Sequence, residues 1–165
     1  MNGIIVKAIA GFYYVETGNA IYECKARGSF RRDGINPLVG DKVNFLESGI
    51  IDSVNPRKNS FTRPPIANLQ QLFIISAFSN PAPNMLLIDR LISVAEQRSV
   101  EPIIVFNKSD MGDFSEIRSV YDKAGFKTFV VSCETEEGFE DMIKRLEGSI
   151  SAFTGNSGVG KSSIL

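Results

Sequence analysis

The sequence predicts an α/β plus all-β chain. A five-stranded barrel of the oligonucleotide-binding type fills residues 1–63, and a P-loop α/β domain with a parallel sheet fills 64–165. Three observations predict this. Short β-rich segments parted by glycine or polar turns occupy the first 63 residues. Apolar strands then alternate with amphipathic helices. The alternation closes on Gly155-Asn156-Ser157-Gly158-Val159-Gly160-Lys161-Ser162, the phosphate-binding spacing G-x-x-x-x-G-K-S.

The barrel strands are expected at 4–8, 12–15, 20–25, 42–46 and 50–54, a count and spacing that an SH3-like barrel would fit nearly as well. Residues 55–65, with three prolines and several polar groups, read as a linker. Leu72–Phe78 is an apolar strand. Asn84 caps a helix over Met85–Arg98 that turns Ile88, Leu91, Ile92 and Ala95 to one face. A strand at 102–106, a helix at 114–124 stopped by Gly125 and a strand at 127–131 follow. A helix over 136–147 places Phe139, Met142, Ile143 and Leu146 at helical spacing, ahead of a strand at 149–154. Such alternation implies a parallel sheet.

In the phosphate loop, glycines let successive N–H groups converge on the α- and β-phosphates. Lys161 is placed for the β- and γ-phosphates, the Ser162 hydroxyl for Mg²⁺, and Ser163 extends the motif into the first turn of a helix whose amides face the phosphates. The bland alternative, a glycine-rich turn, produces the full pattern by chance in under about 1% of chains this long. Asn107-Lys108-Ser109-Asp110 fits the guanine-reading Asn-Lys-x-Asp motif at the C-terminal end of the apolar run 102–106, the edge where open α/β sheets bind ligands. Asp110 is the carboxylate able to accept from guanine N1–H and the exocyclic amine, and its alternative role is to cap a helix. Ser132-Cys133 follows a third buried strand, where GTPases present backbone N–H to guanine O6. The base motif precedes the phosphate loop, the reverse of the ordinary order, so the domain reads as circularly permuted and cut off just after its phosphate loop.

Charge separates the halves more than the net −1 suggests: residues 1–63 carry nine Lys/Arg against six acids, the remainder nine against thirteen. Arg27, Phe30, Arg31 and Arg32 combine cations with a ring, which suits RNA contact and equally suits a solvated hairpin. Histidine is absent, which excludes His-based catalysis in this chain, and two distant cysteines give neither a disulfide framework nor zinc spacing. No secretory signal or membrane-length apolar run is present, and a reduced cytoplasmic protein is expected.

Ala26-Arg27-Gly28, Val39–Val43, Arg57–Pro64 before Ile66-Ala67-Asn68, Asn107–Asp110 and Gly155–Ser163 together resemble the circularly permuted, ribosome-small-subunit-dependent GTPases of the RsgA or YjeQ family, over the whole chain. The resemblance implies an RNA-binding barrel, GTP/GDP and Mg²⁺ as ligands, GTP hydrolysis stimulated by the small (30S) ribosomal subunit and its 16S rRNA, a role in late subunit maturation, and a monomer. Family members continue into a switch segment, an Asp-x-x-Gly motif and a Cys/His module. This implies an N-terminal portion whose catalytic group lies beyond Leu165, with Zn²⁺ only in the absent module. These residues are expected to bind nucleotide weakly and to hydrolyse little. The alternative is a non-catalytic RNA-binding module with the α/β half as scaffold; an ATPase would leave Asp110 without a base to read.

Overall fold

The computed structural model describes residues 1–62 and 64–165. Arg63, counted above among the cations and in the 57–64 motif, lies outside the described residues. The chain divides into two compact units, Met1–Leu69 and Gln70–Leu165.

In the first unit, β1 (Asn2–Ile9), β2 (Phe12–Glu16), β3 (Ile21–Ala26), β4 (Lys42–Phe45) and β5 (Ile50–Val54) close in the order β1-β2-β3-β5-β4. β3 and β5 run parallel and the other neighbours antiparallel. That order decides for the oligonucleotide-binding barrel over the SH3-like one. Ala10 and Gly11 join β1 to β2 with φ of +49° and +83°, the backbone that a two-residue hairpin requires. Ile5, Val15, Cys24, Val43, Phe45 and Ile51 point inward and are all but inaccessible to water.

Residues 55–65 are no free linker. β6 (Ser60–Thr62) pairs with β7 (Pro65–Ala67), and the unit ends at Leu69 rather than at residue 63. Hydrogen bonds of three side chains, Arg57, Asn59 and Asn68, tie this segment down. Arg57 donates from Nε and Nη2 to both oxygens of the fully buried Asp41, each at 2.7 Å, and from Nη2 to Asn36 O at 2.6 Å. Asn68 accepts from Lys58 N–H at 2.9 Å and donates to Gly40 O at 3.0 Å. Asn59 exchanges two 2.9 Å hydrogen bonds with the Leu69 backbone. A buried carboxylate requires such a partner, and the pairing spans sixteen residues of sequence.

The second unit is a four-stranded parallel sheet, order β10-β9-β8-β11, made of β8 (Gln71–Ala77), β9 (Glu101–Asn107), β10 (Lys127–Val130) and β11 (Ser151–Thr154). β8 is buried at every residue, as a strand covered on both faces must be. Phe73, Ile75, Ile103 and Val105 face α3 (Phe139–Leu146) through Met142. On the other face, Phe106 meets Tyr121 of α2 (Ser115–Lys123), and α1 (Met85–Gln97) buries Ile88, Ile92 and Ala95. Asn84 caps α1 as expected, its side chain accepting from Leu87 N–H at 3.0 Å.

α3 departs from expectation. It begins at Phe139 because Glu136 and Gly138 hold left-handed φ of +57° and +78°. Its buried stripe centres on Met142, so Ile143, one residue and 100° round the helix, is 53% exposed. Among the described residues no helix is long and apolar enough to cross a membrane.

Candidate nucleotide-binding site

Two loops at the C-terminal edge of the sheet build the site. β9 delivers Asn107 to its end, where the side chain is 1% exposed. β11 delivers the phosphate loop, which leads into α4 (Lys161–Ile164). Asn107 Nδ2–H donates to Val159 O at 2.9 Å, across 52 residues of sequence. Val159 sits in the sheet's core at 2% exposure, which fixes the loop from below.

Two glycines of the loop are dictated by space. A Cβ on Gly155 would lie 2.2 Å from Ile75 O, and one on Gly160 would lie 2.2 Å from Asn107 Nδ2. Gly160 also holds φ at +92°, where an L side chain is strained. The phosphate loop and the base loop are therefore complementary at atomic contact, which a glycine-rich turn without a partner does not require. Lys161 folds over the loop, its ammonium donating to Gly155 O at 2.9 Å and Asn156 O at 2.6 Å. Ser157 and Gly158 are exposed at the tip of the loop, and Ser162 and Ser163 are exposed in the first turn of α4.

The Asn107–Asp110 loop is braced in the same way. Lys108 adopts left-handed backbone (φ +64°) and spans back to Ser79 O and Asn80 O at 3.2 and 2.9 Å. The Asn80-Pro81 step reads in the sequence only as a strand end, so this brace was not legible there. Asp110 is exposed and caps no α-helix; it stands in a helical turn over Ser109–Met111.

Ser132 differs from its expected role. It is fully buried, its backbone N–H donates to Glu137 O at 3.1 Å, and its hydroxyl donates to Asp110 Oδ1. Its hydroxyl oxygen accepts from Glu134 and Thr135 N–H at 3.2 Å each. Ser132 thus holds the Asp110 carboxylate in place. Cys133 Sγ lies 3.5 Å from Asn107 Oδ1.

The arginine cluster is only partly as expected. Phe30 is no stacking platform: at 4% exposure its ring belongs to the barrel core, because the helical turn Gly28–Arg31 folds it inward. Arg27 pairs with Asp52 at 2.7 Å, and Arg31 and Arg32 are exposed. Lys25, Arg27 and Arg31 line a barrel groove of about 520 Å³.

Known proteins share this arrangement. The family model described as RsgA GTPase matches residues 54–165, and that of the RsgA N-terminal domain matches 2–49. The chain belongs to the RsgA family. It is 46% identical over 172 residues to the small ribosomal subunit biogenesis GTPase RsgA of Caldanaerobacter subterraneus subsp. tengcongensis, covering 100% of this chain and 58% of that protein. Identity to the RsgA of Carboxydothermus hydrogenoformans is 42%, covering 100% and 59%. The crystal structure of YjeQ from Thermotoga maritima superposes with a TM-score of 0.87 at 32% identity, over 99% of this chain and 63% of that one. YloQ, described as a circularly permuted GTPase, gives 0.83 at 30%, over 98% and 62%. The chain thus spans about three-fifths of the length of these relatives. The permuted order of an RsgA domain is visible in the fold, with the Asn107–Asp110 loop on β9 and the phosphate loop following β11.

Proposed function

We propose that this chain binds GTP and GDP and acts, as an RsgA-type GTPase, in late maturation of the small ribosomal subunit. The observation that carries the nucleotide reading is the Asn107–Val159 hydrogen bond, which joins a guanine-type loop to a phosphate-type loop in one site. Asp110, held by Ser132, accepts from the guanine N1–H and amine; the Cys133 amide donates to O6. Backbone amides of 155–163 surround the α- and β-phosphates, and the Lys161 ammonium exchanges its two loop carbonyls for β- and γ-phosphate oxygens.

The donor set fits Mg²⁺ bound mainly through phosphate and water. Among the described residues no cluster of three acidic, Cys or His groups is gathered, and Ser162 supplies one hydroxyl. Mg²⁺ held there with the Ser162 hydroxyl would help to neutralise phosphate charge. Hydrolysis depends on positioning the attacking water and stabilising spread charge. We assign that step to the association with the small subunit and expect negligible turnover from these 165 residues by themselves. The barrel's groove at Lys25, Arg27 and Arg31 is the proposed contact for 16S rRNA backbone.

Fluorescent GDP titrated with the chain and competed with unlabelled GDP or ADP tests the reading. Displacement by GDP alone, and loss of at least about tenfold in affinity in Asp110→Ala, are expected, because a charge-assisted hydrogen bond contributes about 1.5–3 kcal/mol. Equal displacement by ADP would refute guanine recognition.

A further inference from the structure

The α/β unit leaves an apolar groove of about 460 Å³ between the start of α1 and α2, beside the turn that carries Asp110. Phe78, Met85, Phe114, Ile117 and Val120 line it. Its base is rigid. The Phe78 and Phe114 rings meet edge to face at 5.4 Å and 89°, and Gly112 presses so closely that a Cβ there would lie 2.1 Å from Phe78 Cζ. Two of its walls are open to solvent: Met85 is 37% exposed and Val120 53%. Met111, whose sulfur accepts from Ser79 Oγ at 3.4 Å, is 50% exposed. Polarizable methionine and aliphatic groups gathered at a groove mark a binding surface.

Charge selects the occupant. The lining carries two carboxylates, Asp113 and Glu116, and no cation. Asp113 accepts from Ser115 N–H at 2.8 Å and Ser115 Oγ–H at 2.6 Å, which holds its carboxyl below the usual carboxylate range and keeps it charged. An anionic ligand is disfavoured there. A groove walled by two helices takes a third through apolar anchors at helical spacing. We propose that it docks a basic amphipathic helix of a partner protein, which seats aliphatic side chains between Met85 and Val120 and sets Lys or Arg over Asp113 and Glu116.

The test uses the 165-residue chain with 13C-methyl methionine, titrated with a synthetic Leu/Lys helix of about four turns, and with its Leu/Glu counterpart. The Met85 methyl signal is expected to shift while Met1 and the buried Met142 stay still, with the Leu/Glu peptide binding at least tenfold more weakly. Val120→Ser should weaken the Leu/Lys peptide several-fold. Asp113→Ser with Glu116→Gln, which keeps a capping oxygen at 113, should abolish the preference for lysine. Glu140→Gln with Asp141→Asn, two exposed carboxylates on α3, should leave it intact. Equal losses in the two double variants, or an unmoved Met85, would overturn the proposal. So would a concentration-dependent shift of the Met85 methyl without peptide, because the occupant would then be a second copy of this chain.

Discussion

At Gly160 the backbone holds φ +92° with Asn107 Nδ2 where a Cβ would stand, so one methyl group is enough to part the two loops. Gly160→Ala is expected to lose GDP affinity at least about tenfold, from left-handed strain of about 1–2 kcal/mol plus the broken Asn107–Val159 bond, with the circular dichroism spectrum unchanged. The motif glycine was visible in the sequence; the atom it avoids was not, because that atom belongs to Asn107, on another strand far earlier in the chain. Ser132 shows the same limit, since its place after a buried strand could be read but its bond to Asp110 could not. The two thiols should separate chemically. Cys24 is 1% exposed and burial raises its pKa, so little thiolate forms near neutrality and its alkylation should quicken only in alkali. Half-buried Cys133 should react first with iodoacetamide, and bound GDP should protect it, a difference that peptide mass mapping resolves.

Elements were legible where pattern and length agreed. The five barrel strands, β8, β9, β10 and α1 fall within a few residues of expectation, because alternation, apolar runs and an Asn cap are local signals. What misled was long-range. Proline-rich residues near 60 looked like a linker, yet Asp41, Asn59 and Asn68 hold them in the first unit. Arg57→Ala leaves the Asp41 carboxylate buried without its partner and should cost about 3–5 kcal/mol. Chemical denaturation should show it as a lowered midpoint with an unchanged slope. Asn84→Ala removes only the α1 cap, about 1 kcal/mol, and should lower the melting temperature of the second unit by about 4–8 °C.

For the whole molecule, two units with separate cores imply separable behaviour. Residues 1–69 made alone should keep a β-type spectrum and ignore GDP. The full chain at about 100 times the dissociation constant should gain about 2.7 kcal/mol, read as a higher melting temperature. RNA binding is expected to weaken steeply with salt, and Arg27→Ala with Arg31→Ala should flatten that slope by about one for each phosphate no longer neutralised. The bond between Asn107 and Val159 also sets a timetable for synthesis. A ribosome making this chain releases the Asn107–Asp110 loop first, and the Asn107 amide has no loop carbonyl to bond until Val159 emerges. On the proposed function, a nascent chain is therefore expected to bind no guanine nucleotide until nearly all of its phosphate loop has left the exit tunnel, whereas a domain in the ordinary order would meet phosphate first and base last.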